Sequence, residues 1–196
     1  IGSGLVGSEM CIRDRYKASR NEKEGLSSPV VGRTIEDKNG NLWIGTEGGG
    51  LNFYNRRTRE FKWYIAGKGH NSISHSNVKA LYYDPAKEII WIGTHLGGLN
   101  KLDIRTGAFT HYLMEEGNPE TLPSNIVRDI TPYHDQLIVA TQNGVCLFDP
   151  HSGKCRQLFK DTKEGRKITM VADVEVDNNG TCLLYTSPSP RDRSLS

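Results

Sequence analysis

The chain has 196 residues, 36% of them hydrophobic, and 25 Lys and Arg against 23 Asp and Glu leave a formal net charge of +2. It shows no basic stripe with interleaved aromatics, the footprint of nucleic-acid binding, and no apolar run long enough to cross a bilayer as a helix. The segment is therefore expected to contact neither nucleic acid nor membrane.

Two terminal strings stand apart from the rest. "LVGSEMCIRDR" (residues 5–15) and "CLLYTSPSPRD" (residues 182–192) are encoded by one oligonucleotide read from its two strands. They resemble translated sequencing-library adapter. Residues 1–15 and 182–196 are accordingly set aside as artefact before any fold reasoning, as a processing scar would be. This removes Cys11 and Cys182 and leaves Cys146 and Cys155. It also means that the visible start of the chain carries no information about a signal peptide.

The remaining chain is repetitive. Residues 16–28 read as the end of a preceding unit, because Tyr16 to Leu26 matches Tyr112 to Leu122. The first complete unit spans 29–75, with β-rich runs near 30–36, 42–46, 50–54 and 61–65 bounded by Gly, Asn, Asp and Ser clusters. In "DKNGN" the Asn-Gly pair accepts positive φ and predicts a hairpin turn. "NRRTRE" predicts a type I turn with Asn55 bonding back to the backbone. The second unit, 76–124, repeats the pattern. "IIWIGTHLGGLN" follows "NLWIGTEGGGLN" with Trp43 and Trp91 48 residues apart, and Asp84 and Asp103 sit at the turns. The third unit, 125–167, is degenerate: Ile138, Val139 and Ala140 replace Trp-Ile-Gly, while Thr141 and the "DPHSGK" turn with Asp149 persist. A fourth unit starts at 168–181, where Asp177 matches Asp37, and stops where "LWIGT" should appear.

Four antiparallel strands in a repeat of about 45–50 residues is the size of a propeller blade. The predicted fold is all-β, a partial β-propeller of about three four-stranded blades plus fragments of the flanking ones. A sandwich or closed barrel is the alternative, but neither requires so strict a period. Trp43 and Trp91, in the second strand of their units, are expected to pack between adjacent blades. The Gly run is expected to reverse the chain into the third strand. A phosphate loop would need a helix N-terminus after the glycines, and a strand follows instead.

"IEDKNGNLWIGTEGGGLNFYN" and "LYYDPAKEIIWIGTHLGGLNKLD" resemble the two-component regulator propeller repeat. The resemblance covers residues 16–181, strong in two units, degenerate in the third and cut off in the fourth. It implies the periplasmic sensor region of a Bacteroidetes-type hybrid two-component system histidine kinase. There, propellers of about seven blades precede a β-sandwich, a membrane helix and a kinase, and many such proteins respond to oligosaccharides. The kinase is absent from this segment, whose partners would be a small-molecule ligand, an oligosaccharide, and the neighbouring blades and domains of a homodimeric parent.

The sequence holds no H-E-x-x-H, G-x-S-x-G, C-x-x-C or Walker-type loop. His70, His75 and His95 lack zinc-ligand spacing. Neither a cofactor nor a metal is expected, and the segment reads as non-catalytic. Cys146 and Cys155 flank the "DPHSGK" turn, but the hairpin register does not set them opposite one another. Alternating strand direction places the loop between strands two and three on the face that also carries the connection to the next blade. "GKGHNSISHSN" and "EEGNPETLPSN" are assigned to that face, and their Asn, His and Glu side chains suit hydrogen bonds to sugar hydroxyls. The candidate ligand contacts are Glu47, His70, Asn71, His95, Asn118, Glu120 and Gln142. The sensory reading stands beside two others: the propeller of a glycosidase or lyase, and a protein-interaction scaffold.

Overall fold

The β-branched and aromatic runs of the sequence become strands, and Asx residues and glycines share the turns between them. A computed structural model describes residues 16–67, 71–158, 171–176 and 182–186. The first sheet contains β1 (Val31–Glu36), β2 (Leu42–Thr46), β3 (Leu51–Asn55) and β4 (Glu60–Tyr64). The second contains β5 (Val78–Asp84), β6 (Ile89–Thr94), β7 (Leu99–Asp103) and β8 (Phe109–Tyr112). The third contains β9 (Val127–Tyr133), β10 (Gln136–Thr141), β11 (Gly144–Phe148) and β12 (Cys155–Gln157). β13 (Val171–Val176) pairs with β14 (Cys182–Thr186) to begin a fourth. Each sheet is an antiparallel meander in chain order, and the whole is a partial β-propeller.

The turns form as expected. Asp37 accepts from the backbone N–H groups of Asn39 and Asn41 at 2.9 and 3.0 Å. Asp84, Asp103 and Asp149 each accept from a backbone N–H two residues on, and Asn55 does the same at the first unit's type I turn. Asp177 lies outside the described residues. Asp37 has a second role, since its Oδ2 accepts from the Trp43 indole N–H at 3.2 Å. The turn that sets the hairpin also orients the ring that fills the seam.

Successive side chains along a strand face opposite ways, and the core is organised on that alternation. From β2, Trp43 joins Ile73 of the connecting loop and Val78, Leu81, Ile90, Ile92 and Leu102 of the second unit. Its neighbour Ile44 turns the other way, to Leu26, Tyr54 and Phe61. From β6, Ile90 and Ile92 face back to Trp43, while Trp91 faces forward to Val127, Ile130, Val139 and Phe148. From β10, Ile138 and Ala140 meet Val174 of the fourth unit. The two tryptophans, 2% and 1% exposed, are thus buried between sheets.

Two glycines of "WIGT" permit this approach. A Cβ on Gly45 would stand 2.6 Å from Val78 Cγ1, and one on Gly93 would stand 2.6 Å from Val127 Cγ1. Each glycine receives the first valine of the next unit's inner strand, and in the third unit Ala140 occupies that position. The asparagine of "GLN" has an equally fixed task. Asn52 and Asn100, fully buried, accept from the backbone N–H groups of Ser27 and Ser74 at 2.8 and 2.9 Å. The glycine turn is then clipped to the next unit: Gly50 N–H donates to Ser76 O and Gly98 N–H to Asn125 O, both at 2.8 Å.

The tail expected at 16–28 packs on the first sheet. The Tyr16 and Tyr54 rings lie 4.8 Å apart, as do those of the repeat-equivalent pair Tyr112 and Phe148. Trp63 Nε1–H donates to Gly25 O at 2.8 Å and Phe61 N–H to Lys23 O at 3.2 Å, so this segment shields the β4 edge. Residues 182–186, set aside in the sequence, occupy the strand position expected for "LWIGT". Their backbone supplies the ladder partner of β13, a matter of register that is independent of their origin. Cys146 lies opposite Gln157 and Cys155 opposite Phe148, the offset read from the turn length, and both thiols are free and buried.

Truncating Trp43 to Ala in a complete propeller should cost about 3–5 kcal/mol, measured by urea unfolding, and a loss near that of a surface substitution would contradict its burial. A contact with Cys155, together with burial, holds the Cys146 thiol well above its ordinary range. Cys146 should therefore resist alkylation in the folded protein and react only on unfolding.

Candidate functional site

Every inner strand carries the same irregularity near its start. In β5, Val78 pairs with Thr94 and Ala80 with Gly93, leaving Lys79 without a counterpart. In β9, Val127 pairs with Thr141 and Asp129 with Ala140, leaving Arg128. β1 and β13 shift register at the corresponding points. Such bulges re-aim a side chain out of the pleat. Here they bring Lys79 of β5 and Arg128 of β9 to the face that bears the glycine turns, each beside a turn residue of the preceding unit.

On that face Glu47, His95 and Gln142 hold equivalent stations. Their backbone N–H groups donate to Val30 O, Asn77 O and Ile126 O at 3.0, 2.9 and 3.0 Å. Three different side chains therefore stand on one backbone geometry. Glu47 pairs with Lys79 of the next unit, and that ammonium holds its carboxyl below the usual carboxylate range, by hydrogen bond first and by charge second. His95 has its ring 6.2 Å from that of His75. Burial, aided by the charge of His95, pushes the His75 imidazole down, and its Nδ1 accepts from Asn77 N–H at 3.1 Å. A cavity of about 330 Å³ opens beside them, lined by Lys79, His95, Ile126 and Arg128.

The other candidates are placed elsewhere, which corrects the expectation of one shared face. Asn71 lies along the outer strand of the second sheet, its Oδ1 accepting from Phe109 N–H at 2.6 Å and its Nδ2–H donating to Gly107 O at 2.9 Å. Glu120 is its counterpart on the third sheet: its carbonyl accepts from Cys155 N–H at 2.7 Å, and its carboxylate pairs with Lys154 at 2.6 Å. Both sit near the turns between third and fourth strands, at the opposite end of the sheet from Glu47, His95 and Gln142. The physical reason is that the connecting loop must run down the outer strand to satisfy its edge before climbing to the next inner strand. Asn118 stays within the loop, bonded to Glu115 and to Glu120 N–H. His70 lies outside the described residues.

Four charged residues on the inner strands have a place here that sequence reasoning missed: Arg33, Lys79, Arg128 and Asp129. Arg33 of the first sheet reaches past the second to Asp129 of the third, at 3.2 Å. Ala80, at the position equivalent to Arg33 and Asp129, leaves the space. Asp129 also accepts from Val174 N–H at 3.2 Å, so one carboxylate links three units near the axis. The available signal was a charged residue inside an otherwise apolar strand, recurring at the same step after the entry loop. Among the described residues no group of three or more His, Cys, Asp or Glu could hold a metal. No helix among them is long and apolar enough to cross a membrane.

Comparison with known proteins adds to this geometry. Residues 25–48 match the family described as "Two component regulator propeller". No curated protein sequence matches the chain. Among solved structures, it is similar to one described as the extracellular domain of the hybrid two component system BT3049 from B. thetaiotaomicron, with 27% identity and a TM-score of 0.72. That alignment covers 82% of this chain and 22% of the other. The corresponding domain of BT4673, from the same organism, aligns at 22% identity and a TM-score of 0.66 over 86% of this chain and 23% of its own. PorZ, a surface component of the type-IX secretion system of Porphyromonas gingivalis, aligns at 19% identity and 0.63, covering 86% and 26%. The last two likenesses concern the fold alone. The chain spans about a fifth to a quarter of the length of these structures. Residues 25–48 thus match a two-component regulator propeller repeat, and the chain as a whole is similar to the extracellular domain of BT3049.

Replacing Lys79 with Met should return the Glu47 carboxyl toward its ordinary pKa, an upward move readable by carboxyl-detected NMR titration. An unchanged titration would show that the pair does not form in solution.

Proposed function

We propose that this segment belongs to an extracytoplasmic, periplasmic sensor that binds an oligosaccharide and passes the signal to a histidine kinase further along its parent chain. The segment itself is non-catalytic, and the parent acts as a homodimer. The observation that carries the reading is the set of equivalent stations on the glycine-turn face. A repeated backbone presents Glu47, His95 and Gln142 at equivalent positions; the Glu47 carboxylate is engaged by Lys79, which leaves His95 and Gln142 as the groups placed to hydrogen-bond sugar hydroxyls. Function on variable loops above an invariant scaffold is the common arrangement. The repeat at 25–48 and the 27% likeness to the domain of BT3049 support the sensory class over an enzyme or a scaffold.

Asn71 and Glu120 leave the ligand-contact set under this reading, because their polar groups are committed to the backbone or to Lys154. Asn118 remains available only through its loop. Titration calorimetry of the complete extracellular region against a panel of oligosaccharides should give saturable binding. Gln142→Ala should weaken it about fivefold to tenfold, the loss of one neutral hydrogen bond of about 1 kcal/mol. Absence of binding to every glycan would end the sugar-sensing reading, and a downstream coding sequence without a kinase would end the signalling one.

A further inference from the structure

We infer that the cavity between the second and third units binds an anionic group, a carboxylate or sulfate ester, carried by the ligand of this face. The inference rests on the sensory reading above and adds the ligand's charge. It starts from a comparison between two equivalent seams. At the first, the bulge residue of the incoming strand is Lys79 and the station before it is Glu47, and the two neutralise each other. At the second, the bulge residue is Arg128 and the station is His95. The same architecture that closes the first seam with an ion pair places a permanent cation beside an imidazole at the second.

One donor of Arg128 is left unpaired as a result. Its Nε is buried and has no hydrogen-bond partner, and among the described residues its guanidinium makes no ion pair. A buried N–H without an acceptor carries a desolvation cost that a bound acceptor would remove. The cavity lining contains no carboxylate: Lys79, His95, Ile126 and Arg128 surround about 330 Å³. Of the charged groups nearby, Glu47 is already held by Lys79, and the His75 Nδ1 is taken up by the backbone N–H of Asn77. The volume falls at the lower end of small-ligand sites, enough for one sugar ring or its acidic substituent. A guanidinium presents paired N–H donors whose spacing matches the oxygens of a carboxylate or sulfate. Ile126 supplies an apolar wall for the ring face.

The test uses the complete chain that carries this propeller, titrated calorimetrically with four probes. These are a uronic-acid oligosaccharide, a sulfated oligosaccharide, a neutral oligosaccharide of equal length and inorganic sulfate. An acidic oligosaccharide should bind at least tenfold more tightly than the neutral one. Arg128→Met should remove that advantage and Arg128→Lys should keep part of it. His95→Glu should also remove it, by supplying internally the carboxylate that the first seam already has. Lys154→Met, on the outer edge, should change nothing. Thermal melts of each variant separate lost binding from lost folding. If the carboxylated and sulfated probes differ, the tighter one identifies the ligand's acid. Inorganic sulfate bound only by chains with an intact Arg128, with no glycan bound, would keep the anion site and end the sugar reading. Equal binding of neutral and acidic glycans, or acidic binding unchanged in both Arg128→Met and His95→Glu, would overturn the anion site and leave sugar sensing standing. No binding of any probe would overturn both.

Discussion

Contact between neighbouring sheets is the constraint on which this structure depends. No single four-stranded meander here has a core of its own, because both of its faces are apolar. Trp43 and Trp91 fill one side of their sheets, and Ile44 or Ile90 and Ile92 fill the other. Stability is therefore held in the seams, as in other arrays whose units contact only their neighbours. The glycines at 45 and 93 belong to the same constraint. They allow the next inner strand's valine to seat where a Cβ would collide, and so set how closely successive sheets approach.

The seam explains why polar residues are conscripted along with apolar ones. Asn52 and Asn100 are buried completely and hold the segment that leads into their unit, at Ser27 and Ser74, while the glycine turn beside them donates to Ser76 and Asn125 at the start of the next unit. A buried amide is tolerated because its partners are backbone groups that would otherwise be unpaired. The turn that looks like a flexible reversal is a clip between two blades. On the face above it, the side chains at 47, 95 and 142 differ while their backbone hydrogen bonds are the same.

Near the axis the chain uses charge where it uses hydrophobicity elsewhere. Inner strands converge, so Arg33 reaches Asp129 from two units away. The bulges at Lys79 and Arg128 direct two further cations to the turn face. One is neutralised by its neighbour and the other is not. Substitution within a repeat can therefore leave the fold untouched while changing the charge balance of a seam.

The strand content, the turns, the four-stranded unit and the burial of Trp43 and Trp91 were legible in the sequence, because period-2 alternation, Asx-Gly turns and a repeated word are local signals. Asp37, Asp84, Asp103 and Asp149 were read as turn residues for the same reason, and the structure agrees. The stations at Glu47, His95 and Gln142 followed from strand direction alone. Tertiary structure decided the rest. It moved Asn71 and Glu120 to the outer edge, since the path of a connecting loop depends on which strand needs its edge covered. It also brought Arg33 to Asp129 and Arg128 beside His95. Those meetings arise from convergence at an axis and from a one-residue bulge, and neither distance is encoded in the spacing of letters along the chain.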